Sequence, residues 1–271
     1  MVAVELHKLV RSRRTWVTIL LIDALPTLVG VLLAVTDLGP RPGTGPAFLS
    51  AVLTDGTLFP LAALAIVLPL FLPIAVAVTA GEAIAGEAQQ GTLRYLLVRP
   101  VGRTRLLVAK LVSVMVFVVL TVVVVAVTAY VVGALLLGGG DATAGATSVS
   151  GSSLSGQELA LRTLLALAYA MLCMLGVAAI ALFLSTVVRS PLAAALGTMA
   201  VLIASTLLLT LDAAHALQPY LPTRYWLAFV DLFRDPILWR DVSRGVLLQV
   251  VYVGIFLGAA WANFTTKDVT D

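Results

Sequence analysis

Six runs of apolar residues, each about as long as a membrane crossing, divide this sequence. A helix rises 1.5 Å per residue and the hydrocarbon core of a bilayer is roughly 30 Å thick, so about 20 residues are needed to cross it. The runs cover residues 15–35, 58–80, 106–137, 159–188, 192–211 and 244–262. No soluble fold can hide them: 61% of the 271 residues are hydrophobic and 11% are charged, against roughly 45–50% and about 25% in an ordinary soluble domain. Mean hydropathy is +1.07. The expected fold class is an all-α integral membrane protein with six transmembrane helices, forming one domain over residues 1–271. The basic start followed by an apolar run has the outline of a signal peptide, but the run is long enough to span and is not closed by a small-residue cleavage pattern. It is read as a retained first helix.

Charge placement orients the six spans, because loops rich in Lys and Arg stay cytoplasmic. Lys8, Arg11, Arg13 and Arg14 precede the first span, Arg94, Arg99, Arg103, Arg105 and Lys110 follow the second, Arg189 lies between the fourth and fifth, and Lys267 is in the tail. The other basic residues share the opposite loops with Asp37, Asp55, Asp141, Glu158, Asp212, Asp231, Asp235 and Asp241. Both termini are expected to be cytoplasmic, in agreement with an even number of spans. Residues 1–14 read as an amphipathic cytoplasmic helix and 138–158 as a flexible Gly/Ser/Thr-rich outside loop. Residues 212–243, where Tyr220, Tyr225, Trp226, Phe229, Phe233 and Trp239 stand among charges, read as short interfacial helices in the outside loop between spans five and six.

Several chemistries fail on residue type or spacing. The net charge of +3 and pI near 9.2 do not come from a basic stripe with interleaved aromatics, so no nucleic acid partner is expected. Cys173 stands alone in an apolar run and reads as a packing residue, while His7 and His215 fall at opposite faces of the membrane; no metal site is expected. The Gly-Gly-Gly-Asp string ending at Asp141 matches the G-x-G-D pattern of intramembrane aspartyl proteases, yet lies in a loop without a partner carboxylate. No G-x-x-x-x-G-K-[ST] loop occurs. The LSGQ string at residues 154–157 repeats part of an ATPase signature, but in a presumed outside loop and without that companion. The chain is expected not to be an enzyme.

The stretch GEAIAGEAQQGTLRYLLVRPVGRTRLLVAK, residues 81–110, is too rich in signals for a passive connection. Residues 82–90 read as helix, with Glu82 and Glu87. Gly91 permits a turn, Thr92 can cap a second short helix carrying Leu93, Leu96 and Leu97 between Arg94 and Arg99, and Pro100 ends it. An amphipathic helix of that kind on the cytoplasmic face is suited to a partner's groove; the plainer reading is a helix resting on lipid. Glu87, Gly91, Thr92, Leu93, Leu96, Leu97, Pro100, Arg103 and Lys110 follow in order. With them the chain resembles the type-2 permeases of ATP-binding-cassette (ABC) exporters, in which an acidic residue, Gly-Thr-Leu, a Leu pair, Pro and a basic residue before the next span form the coupling region. The opening helix with Glu5, Lys8, Leu9 and Arg11, the LSTVVRSPLAAALG pattern between spans four and five, and the aromatic outside loop fit the same family.

The resemblance implies a permease subunit in the bacterial cytoplasmic membrane, paired with a second copy or a homologous permease and resting on two cassette ATPase subunits. ATP and Mg would bind to those partners and none to this chain. Residues 81–105 would be the cytoplasmic coupling region, with Glu82, Glu87, Gly91, Thr92, Leu93, Arg94, Leu96, Leu97, Arg99 and Pro100 as its coupling residues, and the cargo would be exported. That cargo (drug, peptide, lipid or ion) is not written in the residues. The alternatives are a secondary transporter, which would need internal repeats and more buried acids, and a membrane assembly factor without transport.

Asp23 is the one acid read inside a span, where a carboxylate costs about 2.5–3.5 kcal/mol on insertion scales. With Thr27, Gly30 and Ala34 it marks a small and polar helix face expected to meet protein or a cavity. Asp23 and Thr27 are candidates for the translocation path or for helix packing. Pro60, Pro69 and Pro73 should bend the second span. Glu158 and Arg162, four apart, form a candidate helix-stabilising pair.

Overall fold

The computed structural model describes residues 2–36, 56–90, 102–138, 146–147, 150 and 152–266. The expected coupling residues Gly91, Thr92, Leu93, Arg94, Leu96, Leu97, Arg99 and Pro100 lie outside the described residues, as do Asp37, Asp55, Asp141 and Lys267. Among the described residues the chain is helical apart from a two-residue antiparallel pair, Ala146–Thr147 with Ser153–Leu154. The helices are α1 (Val2–Arg11), α2 (Arg13–Val35), α3 (Phe59–Val67), α4 (Phe71–Gln89), α5 (Arg103–Leu136), α6 (Gly156–Val187), α7 (Pro191–Leu209) and α8 (Trp239–Thr266). Six of them, α2 and α4 to α8, are long and apolar enough to cross a membrane.

Length and composition explain most of this plan. The 34 residues of α5 extend about 51 Å, well beyond the hydrocarbon core, so one end must project. Serine caps open α6 and α7: Ser155 completes a capping box with Glu158, and the Ser190 hydroxyl accepts from the Ala193 amide just before Pro191. The most enclosed of the six long helices is α6, whose apolar window is 61% buried against 17% in α8. It packs on α4, α5, α7 and α8, whereas the peripheral α8 keeps Leu247, Val250 and Ile255 on the outside.

The second run departs from a single bent span. It forms α3 and α4, separated by a turn at residues 68–70. Pro69 and Pro73 lack the amide hydrogens that would reach the carbonyls four residues back, so the ladder cannot run through. Ahead of α3, a 3₁₀ turn at Gly56–Leu58 passes so close to Gly133 of α5 that a Cβ on either glycine would strike the other's carbonyl. The Gly56 amide donates to the Gly138 carbonyl at 3.2 Å.

Residues 212–238 fold as 3₁₀ pieces, Asp212–Ala214, Gln218–Tyr220 and Ala228–Phe233, before α8 begins at Trp239, a turn earlier than its apolar run. Trp226, Phe229 and Phe233 are buried, whereas Tyr220 and Trp239 are exposed. Half of the aromatic signal is thus core, closing this end of the bundle. Arg162, also buried, donates to the carbonyls of Leu232 and Arg234 at 3.3 and 2.8 Å. It therefore holds this segment rather than Glu158, which is engaged in the α6 cap.

The opposite end of the bundle gathers both ends of the described chain. There Arg103 of α5 donates to the Phe264 and Thr265 carbonyls at 3.1 and 2.8 Å, and the Trp261 indole of α8 reaches the Thr104 hydroxyl at 3.0 Å. This is called the terminal end below.

Candidate functional site

At the terminal end α4 continues beyond its apolar part as an uninterrupted helix through Glu82 and Glu87 to Gln89. The reason lies in the sequence: Ala83, Ala85 and Ala88 are strong helix formers, and no proline intervenes before residue 100. Lys110, two turns into α5, points into the bundle and is 5% exposed. Its ammonium lies 3.0 Å from Glu5 of α1 and forms a close ion pair with Glu87 of α4. The side chains of both carboxylates are 16% exposed. Lys8 reaches Glu5 from the solvent side at 3.5 Å. One cation therefore ties three helices together.

Such a cluster is costly to desolvate and is tolerated because every charge has an opposite neighbour. Beside it, Arg14 at the start of α2 approaches Glu82 at 3.4 Å, an open pair with side chains 84% and 48% exposed. Glu5, Arg14, Glu82, Glu87 and Lys110 line a cavity of about 370 Å³. Behind the cluster, the Ser185 hydroxyl of α6 enters the backbone of α4. It donates to the Gly81 carbonyl at 2.7 Å and accepts from the Ile84 and Ala85 amides at 3.1 and 2.9 Å. A hydroxyl inside the i to i−4 ladder is an identifiable cause of bending. Gly81 also allows close packing, since a Cβ there would sit 3.1 Å from the Ala195 amide of α7.

A family model described as a protein of unknown function (DUF2705) matches residues 44–270. The chain belongs to that family. No curated protein matches the sequence. The DUF2705 match takes in Glu82, Glu87, Lys110 and Ser185, and starts after α1 and α2, so Glu5, Arg14 and Asp23 come from outside the matched residues.

Of the residues singled out from sequence, Glu82 and Glu87 stand at this site. Asp23 does not: it is 8% exposed and accepts a hydrogen bond of 2.5 Å from Thr128 of α5. Gly30 is buried against Phe59 and Val132, with room for no more than hydrogen. Thr27 is half-buried, and Ala34 is exposed, so the small face ends before the helix does. Cys173 is fully buried among apolar neighbours. Lys110 and Ser185 carry more of the site's geometry than their sequence signals. Lys110 is the basic residue of the coupling pattern and Ser185 lies in the LSTVVRSPLAAALG pattern, but neither pattern says that the side chain turns into the bundle or onto α4.

Proposed function

We propose that this chain is the membrane permease subunit of a type-2 ABC exporter, operating as a pair of permeases in the bacterial cytoplasmic membrane. Two separate cassette ATPases would bind ATP and Mg and supply the work. In this reading the terminal end faces the cytoplasm, residues 81–105 are the coupling region, and residues 91–100 enter the ATPase groove.

The observation that carries the reading is the fastening of α4. Its extension to Gln89 stops just before the amphipathic stretch, and Lys110 holds that extension to α1 and α5 through Glu5 and Glu87. A displacement applied beyond Gln89 is therefore delivered to three helices rather than lost in a free connection. The ion pairs fix direction, and the Ser185 insertion at Gly81 supplies a place for the rod to flex.

Co-expression with a cassette ATPase tests this. The ATPase should copurify with the chain and be stimulated by it, and Gly91→Trp, which puts a bulky ring at the start of the expected docking stretch, should abolish stimulation while the permease still assembles in the membrane. Normal stimulated hydrolysis and transport in that variant would overturn the assignment.

A further inference from the structure

Beside the charged cavity lies a second one of about 420 Å³, between α2 and α4. Thr79 lines both, so the two are neighbours. The second is walled by Leu21, Ile22, Phe71, Ile74 and Val78, among others. Leu21, Ile74 and Val78 are exposed at 68%, 38% and 44%, so this cavity is a cleft open on the apolar outer surface of the bundle. From Arg14 to Ile22 along α2 is about 12 Å, and from Glu82 to Phe71 along α4 about 16 Å. An apolar slot of acyl-chain depth therefore starts one turn below a pair of opposite charges.

The chemistry of that pair selects the head. Lys110 is enclosed by Glu5 and Glu87 and not available to a ligand. The Arg14 to Glu82 pair is long and mostly exposed, an arrangement worth little in itself and easily opened. Its guanidinium fork matches a phosphodiester, and its carboxylate accepts hydrogen bonds from a primary ammonium. Among the residues lining the charged cavity, Glu5, Glu82 and Glu87 outnumber Arg14 and Lys110, which disfavours a purely anionic head. We propose that Arg14, Glu82 and the α2–α4 cleft bind one phospholipid carrying a primary ammonium and a phosphodiester, with phosphatidylethanolamine as the probe. The ammonium replaces Arg14 on Glu82, the phosphate takes Arg14, and one acyl chain fills the cleft. This site goes beyond the transport reading and requires only that the chain be embedded in a bilayer.

Native mass spectrometry of the purified chain, offered phosphatidylethanolamine, phosphatidylcholine and phosphatidylglycerol of identical acyl chains, tests it. Phosphatidylethanolamine should be retained about tenfold more than the other two, the size of one charge-assisted hydrogen bond. Glu82→Gln should erase that preference. Val78→Trp, filling the cleft at a half-exposed position, should weaken retention of all three lipids, whereas Leu247→Trp on α8 should change nothing. Chain-free glycerophosphoethanolamine should not compete. Equal retention of the three lipids, a preference that survives Glu82→Gln, or effective competition by the chain-free head would each overturn the proposal. Because no ATPase takes part, those results leave the coupling reading standing, and loss of coupling would leave the lipid site standing.

Discussion

Lys110 sits at the point where three helices meet, and its value lies in what its removal strands. Lys110→Met keeps the length of the side chain but leaves Glu5 and Glu87 facing each other with water largely excluded. Breaking a buried pair from one side costs about 3–5 kcal/mol; since both carboxylates keep some exposure, roughly 3 kcal/mol is expected, read as a lowered unfolding midpoint in detergent. Adding Glu5→Gln and Glu87→Gln to Lys110→Met should recover most of that loss, because no buried charge then remains. If the single substitution costs nothing, the cluster does not fasten α4. Asp23 presents the opposite case. The Thr128 hydroxyl has one proton, for which the Val124 and Val125 carbonyls are alternative acceptors, and an amide oxygen can accept as a carboxylate does, so Asp23→Asn should shift stability by less than about 1 kcal/mol. Any large change in transport by that variant would then report charge in the pathway and not assembly.

Among the elements, α4 is the one whose irregularities have separable causes. Proline starts it late, the Ser185 hydroxyl bonds to its backbone at Gly81, and it ends at Gln89. Ser185→Ala removes the hydroxyl that contacts the Gly81 carbonyl and the Ile84 and Ala85 amides, leaving those groups to the helix's own ladder. Spin labels at Gln89 and Leu247 should then show a narrower distance distribution, with little change in unfolding midpoint; an unchanged distribution would mean that the hydroxyl is packing only. The crossing of α3 and α5 is stiffer. Gly133→Val drives a side chain into the Gly56 carbonyl, and because the obstacle is backbone the cost should reach the upper part of the 1–3 kcal/mol typical of overpacking, again seen as a lower unfolding midpoint. These elements also mark where sequence is readable. Crossing lengths follow directly from apolar runs, and Pro69 and Pro73 announce a break in the second. That the broken piece packs separately depends on Gly56 meeting Gly133, a contact between positions far apart in sequence that no local pattern encodes. Glu82 and Glu87 were legible as helix charges. Their partners were not, because only the fold brings Arg14 of α2 to Glu82 and turns Lys110 inward to meet Glu87 and Glu5.

For the molecule as a whole, two independent charge patterns make the same statement about orientation. The N-terminal basic residues meet Arg103 and Lys110 at one end of the bundle, where Glu5, Glu87 and Lys110 are joined and Arg103 holds the end of α8. The acidic and aromatic segment at residues 212–238 closes the other end. In the proposed orientation, which positive-inside placement favours, the first of these faces the cytoplasm, and the geometry leaves no mixed arrangement: either both groups are inside or the entire bundle is inverted. Cysteine labelling with a membrane-impermeant maleimide distinguishes the two cleanly, because the native Cys173 is fully buried and gives no background. In right-side-out vesicles a cysteine at Tyr220, which is 68% exposed, should label at once. A cysteine at Lys8, whose side chain is 63% exposed, should label only after the membrane is opened. The reverse pattern would place residues 91–100 on the outside, where no ATPase could reach them, and would end the coupling reading while leaving the six-helix bundle as it stands.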